Sequence, residues 1–347
     1  MSRESSFMMP AEWHRHAATQ LHWPSNRKTW PGERLDRVED VYCHIIEELH
    51  FFEPIHLFVE SLEIRNRVMQ KLSGRAVDLD RIIIHQQKIN DVWARDCGPI
   101  FVKQEEEYVI LDWKYNAWGE KYPPWENDNV LPKYIADKFG VNRVEPDMIL
   151  EGGSIDVNGA GALLTTESVL LNPNRNPDMS KAEIEEKLKE YLGVDQIIWL
   201  KKGLAGDDTD GHIDDITRWI NENTVLTMIC EDPEDINYEV LQENLKILQS
   251  VTLKNGKELN IETLLLPQTK IEGTTVDGSE YVPASYANFY IANGAVLVPM
   301  YDERFDEQAL KLFRKYFSGR KVIGIPCADL VWGQGSVHCI TQQWYGI

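Results

Sequence analysis

Residues 154–165 read SIDVNGAGALLT, an alternating run, an Asn-Gly pair and a second run that is mostly apolar. An Asn-Gly pair between two such runs is a strong signal for a β-hairpin, because the type I′ turn needs positive φ at both central residues. The first run alternates polar and apolar residues, whereas the second is apolar enough to be buried. The stretch therefore predicts a hairpin whose second strand belongs to the scaffold and whose first strand carries polar side chains inward.

The same pattern recurs along the chain. Further hairpins are predicted at 99–111, 212–228 and 288–298, at intervals of about 50 to 70 residues, which indicates a structural repeat. Helical periodicity and one buried strand complete the pattern, the helices in 34–60, 62–72, 131–139, 181–192, 238–250 and 306–317 and the strand at 81–85. No Pro/Gly/Ser-rich linker divides the chain. We therefore predict an α/β fold of repeated units in a single domain over residues 1–347.

The charge balance is strongly acidic. The chain contains 56 Asp and Glu against 36 Lys and Arg, a formal net charge of -20. Nucleic acids and anionic membranes bind proteins through Lys and Arg, so neither is expected as a partner. The composition favours a cationic partner, although many acidic proteins owe their charge to solubility alone.

The cysteines do not indicate a disulfide framework or a zinc site. The five are Cys43, Cys97, Cys230, Cys327 and Cys339, and no two of them form a Cys-x-x-Cys pair. The first residues of the chain lack the apolar core of a signal peptide, and no run of ~18 apolar residues occurs. We therefore expect reduced thiols and a cytoplasmic location.

Polar residues cluster just before the first strand of three predicted hairpins. The clusters are NDVWARDCGP at 90–99, EGGS at 151–154 and GDDTDGHID at 206–214. A fourth cluster, GQGSVHCITQQ at 333–343, carries Cys339 near the C-terminus. If the repeated units surround an axis, the entrances of their first strands converge on one central site.

The acidic cluster 206–214 does not fit a calcium loop. With Gly211 at position 6 of an EF-hand, positions 1 and 12 would be Gly206 and Thr217, which supply no carboxylate. His212 lacks further His or Cys residues at zinc spacing, and 333–336 lacks the Lys-Ser/Thr of a phosphate-binding loop. These patterns therefore give no support for a metal or nucleotide site.

Cys339 needs a partner if it is to act as a nucleophile, since a lone cysteine is more often a small buried hydrophobic residue. Cys339 is placed at the start of a short β-type run, where the neighbouring His338 would point to the opposite face, so we interpret His338 as structural. His212 and Asp214 are two positions apart and would share one face of a strand.

Three aspartates stand at the converging entrances, Asp96, Asp208 and Asp214. A cysteine or serine protease usually places one carboxylate behind its histidine, so this set is too negative for an uncharged amide substrate. The carboxylates therefore indicate a cationic substrate.

The matching motifs run in one order over essentially the whole chain, MPAEW at 9–13, WARDCGP at 93–99, EGG at 151–153, GDDTDGHID at 206–214, SYANF at 285–289 and GQGSVHCITQQ at 333–343. Together they resemble the agmatine deiminase and bacterial (Porphyromonas-type) peptidylarginine deiminase family, within the guanidino-group-modifying enzymes. The resemblance implies a pseudo-fivefold symmetric α/β propeller of repeated ββαβ-type units around a central active site. It also implies that no metal and no organic cofactor is used.

The resemblance further implies the roles of four residues, with Cys339 as nucleophile, His212 as general acid/base, and Asp96 and Asp214 as the pair that grips the guanidinium. A planar guanidinium offers paired N–H donors that carboxylates accept bidentately, which leaves one face of its central carbon open to sulfur. Two carboxylates near a thiol raise its pKa, so we expect Cys339 to ionise fully only beside the cationic substrate or a protonated His212.

Four further residues are candidates for substrate binding, Trp93, Glu151, Gly153 and Asp208. Each has an alternative, since Trp93 fits a core aromatic, Asp208 a turn cap, and the Glu-Gly-Gly sequence a plain turn. Glycine also lets backbone approach a substrate closely, which keeps the substrate-binding interpretation open for the turn.

The expected activity is hydrolysis of a guanidino group to a ureido group with release of ammonia, with agmatine giving N-carbamoylputrescine through a covalent thiouronium on Cys339. The alternative is deimination of free or peptidyl arginine to citrulline, which needs a cationic contact such as Arg95 or Arg218. Residues 278–283, GSEYVP, are more acidic than the family pattern, so the resemblance does not identify the residues that hold the tail of the substrate. A second class of function is a non-catalytic binder of guanidinium or polyamines, which has no need of Cys339 and His212. The protein is also a candidate homo-oligomer.

Overall fold

The computed structural model describes residues 7–268 and 275–347. Residues 1–6, part of the segment considered above for a signal peptide, lie outside the described residues. The strands in the described ranges are β1 Phe7–Met8, β2 Ala18–His22, β3 Ile55–Val59, β4 Ile82–Gln86, β5 Ile100–Gln104, β6 Glu107–Leu111, β7 Arg143–Val144, β8 Asp156–Val157, β9 Ala162–Thr166, β10 Gln196–Leu200, β11 Thr217–Asn221, β12 Thr224–Ile229, β13 Asn260–Leu265, β14 Tyr290–Ile291, β15 Ala295–Met300, β16 Lys321–Pro326 and β17 Thr341–Trp344.

Helices connect these strands, several of them only one turn long. They are α1 Arg34–Leu49, α2 Leu62–Leu72, α3 Ala94–Cys97, α4 Ala117–Glu120, α5 Glu126–Asn129, α6 Leu131–Phe139, α7 Glu167–Leu170, α8 Lys181–Leu192, α9 Tyr238–Gln249 and α10 Glu303–Tyr316. The described residues also form four 3-10 turns, at Leu79–Arg81, Gly152–Ser154, Ile213–Asp215 and Leu330–Gly333. No helix within 7–268 and 275–347 is both long and apolar enough to cross a membrane.

The strands form five small sheets that share one pattern across the described residues. Each sheet has an antiparallel pair, the pairs being β5/β6, β8/β9, β11/β12, β14/β15 and β17/β2. The second strand of each pair then meets a parallel neighbour, which is β7, β10, β13, β16 and β3 respectively. The predicted repeat of hairpin, helix and strand in an α/β fold is confirmed.

Local sequence explains why the connecting helices form where they were predicted. Helices α2, α6 and α8 have the predicted bounds. Ser180 and Glu183 form a capping box at the start of α8, and Gly193 ends it with φ +67°, a conformation that glycine adopts without strain. Helical periodicity in 34–60 is realised only as far as Leu49, because Pro54 disfavours helix before it and β3 takes the remainder.

The second strands form the scaffold, as predicted. Strands β9, β12 and β15 are buried along nearly their whole length. Three apolar clusters of the described residues surround the sheets, and α1, α6, α8, α9 and α10 contribute apolar side chains to them. At about 25 cal/mol per Å² of buried apolar surface, this burial is the main term that holds the sheets together.

The turns that precede the first strands lie close together. Helix α3 precedes β5, Gly152–Ser154 precedes β8, and Ile213–Asp215 precedes β11. A backbone hydrogen bond of 3.1 Å from N–H of Arg95 to the carbonyl of Cys339 links α3 to the turn before β17. Elements far apart in sequence are thereby brought to one place, as the convergence of the polar clusters predicts.

Three of the first strands begin two or more residues later than predicted. The strand predicted from 154 is Asp156–Val157, the one predicted from 212 begins at Thr217, and the one predicted from 288 is Tyr290–Ile291. The prediction that His212 and Asp214 share a strand face is therefore wrong. They are brought together instead by the 3-10 turn Ile213–Asp215, which the period-2 pattern does not detect.

Candidate active site

Three of the predicted side chains meet around one glycine. Gly153 lies in the turn Gly152–Ser154, and a Cβ atom added to it would be 2.6 Å from Nδ1 of His212, 2.8 Å from Oδ1 of Asp96 and 3.0 Å from Oδ2 of Asp214. These distances are shorter than van der Waals contact, so a side chain does not fit between the three groups. The imidazole and both carboxyl groups thus surround one small space.

Asp96 lies in α3 and is held from two sides. The backbone N–H of Gly153 donates to its Oδ1 and the indole N–H of Trp118 donates to its Oδ2, each at 2.9 Å. Burial raises the pKa of Asp96 to about 7 and Glu151 adds to the shift, while the two hydrogen bonds oppose it. Asp96 therefore exchanges a proton near neutral pH and ionises more readily when a cation binds beside it.

Asp214 and His212 lie close to each other through the turn Ile213–Asp215. Nδ1 of His212 is 4.0 Å from Oδ1 of Asp214 and 3.7 Å from Oδ1 of Asp96, and its buried Nε2 has no hydrogen-bond partner among the described residues. Burial raises the pKa of Asp214 well above its usual value, and the negative charge of Asp96 raises it further. Burial lowers the pKa of His212 well below 6.5, and the positive charge of Arg175 lowers it further. Without substrate, the imidazole is therefore neutral.

The thiol of Cys339 lies in a buried environment rich in carboxyl groups. Its Sγ is 3.7 Å from Oδ2 of Asp214 and 3.0 Å from Nδ2 of Asn288. Burial raises the pKa of Cys339 well above its usual value, and Asp214, Asp215 and Asp96 raise it further. A nearby positive charge would therefore favour the thiolate strongly.

His338 does not point away from the surroundings of Cys339. Residues 337–340 form a turn, and β17 begins only at Thr341. Nδ1 of His338 lies 2.6 Å from Oδ2 of Asp214, the oxygen that the sulfur of Cys339 also approaches. The argument that strand alternation separates the two side chains is wrong, because alternation holds only for extended backbone.

A buried ion network contacts the other side of His338. Its Nε2 lies 2.8 Å from Oε2 of Glu12, which is 3.3 Å from Nη2 of Arg95 and 3.1 Å from Nη2 of Arg218. Burial by itself would raise the pKa of Glu12, but Arg218, His338 and Arg95 together hold it well below its usual value. Both arginines are thus engaged inside the protein, where they cannot serve as the cationic contact that an arginine substrate would need.

A cavity of about 520 Å³ opens beside these groups. Its wall includes four of the predicted residues, Cys339, Asp96, Trp93 and Asp208. Asp208 accepts a hydrogen bond of 2.5 Å from the hydroxyl of Tyr122. Burial raises the pKa of Asp208 to about 7, and the hydrogen bond opposes this shift. His212 and Asp214 are almost fully buried and contact the wall from behind.

The cavity wall carries more acidic than basic groups. Its carboxyl groups are Glu60, Asp91, Asp96, Asp128 and Asp208, and its ammonium groups are Lys28 and Lys121. Burial also raises the pKa of Asp91 to about 6 and that of Asp128 to about 8. A bound cation would favour the ionised form of these carboxyl groups, which would then release their protons. The wall therefore suits a ligand with more than one positive charge.

Glu151 and Gly153 do not line the cavity. Glu151 is fully buried, its Oε1 lies 2.5 Å from Nε of Arg175, and its Oε2 has no hydrogen-bond partner within the described ranges. Gly153 lies between the catalytic candidates, where its backbone N–H holds Asp96. A direct contact of Glu151 with substrate stays a prediction.

Sequence reasoning missed three residues of this site, Asn288, Trp118 and Glu12. Asn288 lies within the motif 285–289 and Glu12 within the motif 9–13. A charged or amide side chain inside a matched motif was the signal that could have indicated both residues. Trp118 lies in none of the motifs, and its contact with Asp96 arises from α4 folding over the cavity.

Two groups of described side chains have the spacing of possible metal ligands, His22 with Cys97 and Asp128, and Asp214 with Asp215 and Cys339. In the first group, Nδ1 of His22 lies 3.0 Å from the carbonyl of Asp91 and its Nε2 lies 2.7 Å from the side chain of Gln20. The second group belongs to the candidate active site itself. Neither group is assigned a metal.

Comparison with known proteins identifies the family. The sequence model of the Porphyromonas-type peptidyl-arginine deiminase family matches residues 8–344, and the chain belongs to this family. Among curated relatives, the agmatine deiminase of Medicago truncatula is 36% identical over 366 residues, which cover 97% of this chain and 96% of the relative.

Solved structures agree with this assignment. The agmatine deiminase of Enterococcus faecalis is 32% identical, with a TM-score of 0.89 and coverage of 98% of this chain and 96% of that chain. A cysteine-to-serine variant of C. jejuni agmatine deiminase with substrate bound is also 32% identical, with a TM-score of 0.87 and the same coverage. The relatives that resemble this chain over nearly its full length therefore include agmatine deiminases. A putative arginine deiminase from Porphyromonas gingivalis is also similar, at 35% identity with a TM-score of 0.89 and coverage of 97% of this chain and 98% of that chain.

Proposed function

We propose that this protein is an agmatine deiminase, a hydrolase that converts agmatine to N-carbamoylputrescine and ammonia. The observation that carries the proposal is the convergence of Asp96, Asp214 and His212 around Gly153, with the sulfur of Cys339 3.7 Å from Asp214. Two carboxyl groups, an imidazole and a thiol in one buried space match the needs of nucleophilic attack on a guanidinium. The names of the relatives support the substrate.

In the first step, Asp96 and Asp214 accept hydrogen bonds from the N–H groups of the guanidinium and fix the orientation of its plane. The thiol of Cys339 gives its proton to His212, and the resulting thiolate forms an S–C bond to the central carbon. The C=N electron pair moves to nitrogen, which gives a neutral tetrahedral adduct. The substrate brings a positive charge close to the sulfur, and this charge stabilises the thiolate. The raised pKa of Cys339 therefore falls when substrate binds.

In the second step, His212 in its protonated form donates a proton to the departing nitrogen, which leaves as ammonia while the carbon remains bound to sulfur as a thiouronium. Neutral His212 then takes a proton from water, and the water oxygen bonds to the carbon. As the C–S bond breaks, the remaining hydroxyl proton passes to the sulfur, the ureido product leaves, and His212 returns its proton to solvent. Nδ1 of His212, which faces Asp96 and Asp214 at 3.7 and 4.0 Å, is the atom that we assign to these transfers.

Cation binding should depend on pH through the carboxyl groups of the site. The pKa of Asp96 is raised to about 7 in the free protein, and a guanidinium favours its ionised form. Below that pH the proton on Asp96 must leave when agmatine binds, so the Kd for agmatine should fall at least about tenfold per pH unit as pH rises from about 5 to about 7. The pKa of Asp214 is also raised well above its usual value, so its ionisation adds to this dependence.

This dependence can be measured by titration calorimetry on the Cys339→Ala variant, which cannot turn the ligand over. Choline, a cation without N–H donors, serves as the control ligand for charge alone. A Kd for agmatine that is constant over this pH range would contradict the proposed ionisation of Asp96.

The acidic wall favours agmatine over arginine. Agmatine carries an ammonium group at its far end, whereas arginine adds a carboxylate there that the carboxyl groups of the wall would repel. One observation favours arginine, the ammonium group of Lys28 on the same wall. Deimination of free or peptidyl arginine is therefore kept as the second candidate function.

The two candidates are separated by incubating the protein with agmatine and with arginine and measuring ammonia and the ureido product. Agmatine should be converted with a kcat/KM at least about 100-fold higher, since an unpaired carboxylate beside acidic groups costs several kcal/mol. Conversion of arginine alone would reject agmatine as the substrate, and Lys28→Met would then test the contact with its carboxylate.

We also propose that the five sheets are arranged as the blades of a pseudo-fivefold α/β propeller in one catalytic domain. Support comes from the strand pattern common to the five sheets and from the contacts among the turns before their first strands. In this arrangement the active site lies on the axis, which explains how each unit can contribute to it.

A further inference from the structure

The side-chain amide of Asn288 is fully buried beside the nucleophile, and all of its hydrogen-bonding positions are used. Its Nδ2 donates to Sγ of Cys339 at 3.0 Å and to Oδ1 of Asp215 at 2.9 Å. Its Oδ1 accepts from the backbone N–H of His338 at 2.9 Å and from that of Cys339 at 3.4 Å. An amide has two N–H donors and one oxygen with two lone pairs, so none is left over.

These contacts fix which end of the amide faces the sulfur. If the oxygen and nitrogen of Asn288 exchanged places, the NH₂ group would meet two backbone N–H donors, and the oxygen would face the thiol and the carboxyl group of Asp215. The backbone donors therefore orient the amide, and an N–H points at the sulfur of Cys339.

We propose that Asn288 is a further catalytic residue, whose Nδ2–H hydrogen bond to the sulfur of Cys339 stabilises the thiolate. The inference rests on the proposed function, in which this sulfur is the nucleophile. Hydrogen bonds to an ionised acceptor are about twice as strong as those between neutral groups, so the contact strengthens when the thiol loses its proton.

The surroundings explain why such a donor is needed. Asp214, Asp215 and Asp96 all lie near the sulfur and disfavour a negative charge on it. A backbone hydrogen bond from Ser336 also favours the thiolate of Cys339. Trp118 and the backbone of Gly153 donate to Asp96 instead. Among the described hydrogen bonds, the Asn288 amide is the side-chain donor directed at the sulfur.

The test measures the ionisation of Cys339 without substrate. Full-length protein is alkylated with iodoacetamide between about pH 6 and about pH 10, and the rate at Cys339 is read from its peptide by mass spectrometry. In Asn288→Ala and Asn288→Asp the profile should move up by about one to two pH units, so at a fixed pH below the midpoint Cys339 should react about 10 to 100 times more slowly.

The two variants separate the donor from other effects. Asn288→Asp keeps an oxygen for the backbone N–H groups of His338 and Cys339 but adds charge, whereas Asn288→Ala removes the donor and adds none. An unchanged profile in either variant would overturn the proposal, and a shift in the Asp variant alone would assign the effect to charge. Thermal unfolding identifies a variant that fails to fold. If this is Asn288→Ala, Asn288→Leu takes its place, because leucine is similar in size to asparagine, adds no charge and has no donor.

Asn244→Asp is the matched control. Asn244 is equally buried and bridges Lys201 and Lys202 through its amide, away from the site. Its replacement should leave the alkylation profile of Cys339 unchanged. Turnover of agmatine is measured separately: a shifted profile in a protein without turnover would reject the proposed function alone, and turnover without a shift would reject the role of Asn288 alone.

Discussion

Replacing Cys339 with alanine is expected to lower the rate of ammonia release from agmatine by on the order of 10⁴-fold or more, to the background of the assay. In the proposed mechanism the sulfur forms the covalent bond that both steps need, and no other thiol lies in the cavity wall among the described residues. Agmatine should still bind, because Asp96 and Asp214 remain. The measurements are ammonia release and the Kd for agmatine.

The matched control for this variant is Cys43→Ala. Cys43 is also buried, but it lies on helix α1 and packs in the apolar core. Its truncation should cost about 1 to 2 kcal/mol of unfolding free energy and leave turnover of agmatine unchanged. Cys339→Ala protein with wild-type turnover would exclude a covalent intermediate on this residue.

Replacing Gly153 with alanine is expected to reduce kcat/KM for agmatine by about 100-fold or more. The added methyl group would lie 2.6 Å from His212, 2.8 Å from Asp96 and 3.0 Å from Asp214, so at least one of these groups must move. Displacement of a positioned group by even about 1 Å costs about two orders of magnitude in rate. Steady-state kinetics, combined with thermal unfolding, measure this effect.

Gly319→Ala is the corresponding control. Gly319 has open space where a Cβ would be placed and does not have a positive φ, so an added methyl group causes neither a clash nor backbone strain. Its kcat/KM should be that of the unchanged protein. If Gly153→Ala retained full activity while remaining folded, the space around Gly153 could not be where the guanidinium reacts.

Much of the fold could be predicted from local sequence. The Asn-Gly pairs at 158–159 and 293–294 lie between antiparallel strands, and helices α6 and α8 have the bounds that their periodicity predicts. These features depend on turn geometry and on contacts within a few residues, which sequence patterns contain. The fifth sheet has no such signal, because its antiparallel pair joins β17 to β2, from opposite ends of the chain, without a connecting turn.

The candidate site was predictable in part. Motifs at the strand entrances indicated Cys339, His212, Asp96 and Asp214, and the structure brings all four together. Their assigned roles stay predictions until the variants are measured. The placement of His338 was wrong because a turn replaces the expected strand, and a period-2 argument says nothing about side-chain directions in a turn.

By itself, the sequence determined the repeated hairpin, helix and strand, the acidic character of the chain, and which reactive residues precede the first strands. These follow from composition and from periods of 2 and 3.6 residues. Only the tertiary structure decided that both chain ends complete one sheet, that three reactive groups surround Gly153, and that an amide donor faces the sulfur of Cys339. The physical reason is that these arrangements depend on turns with non-extended backbone and on pairing between distant segments, neither of which leaves a local pattern.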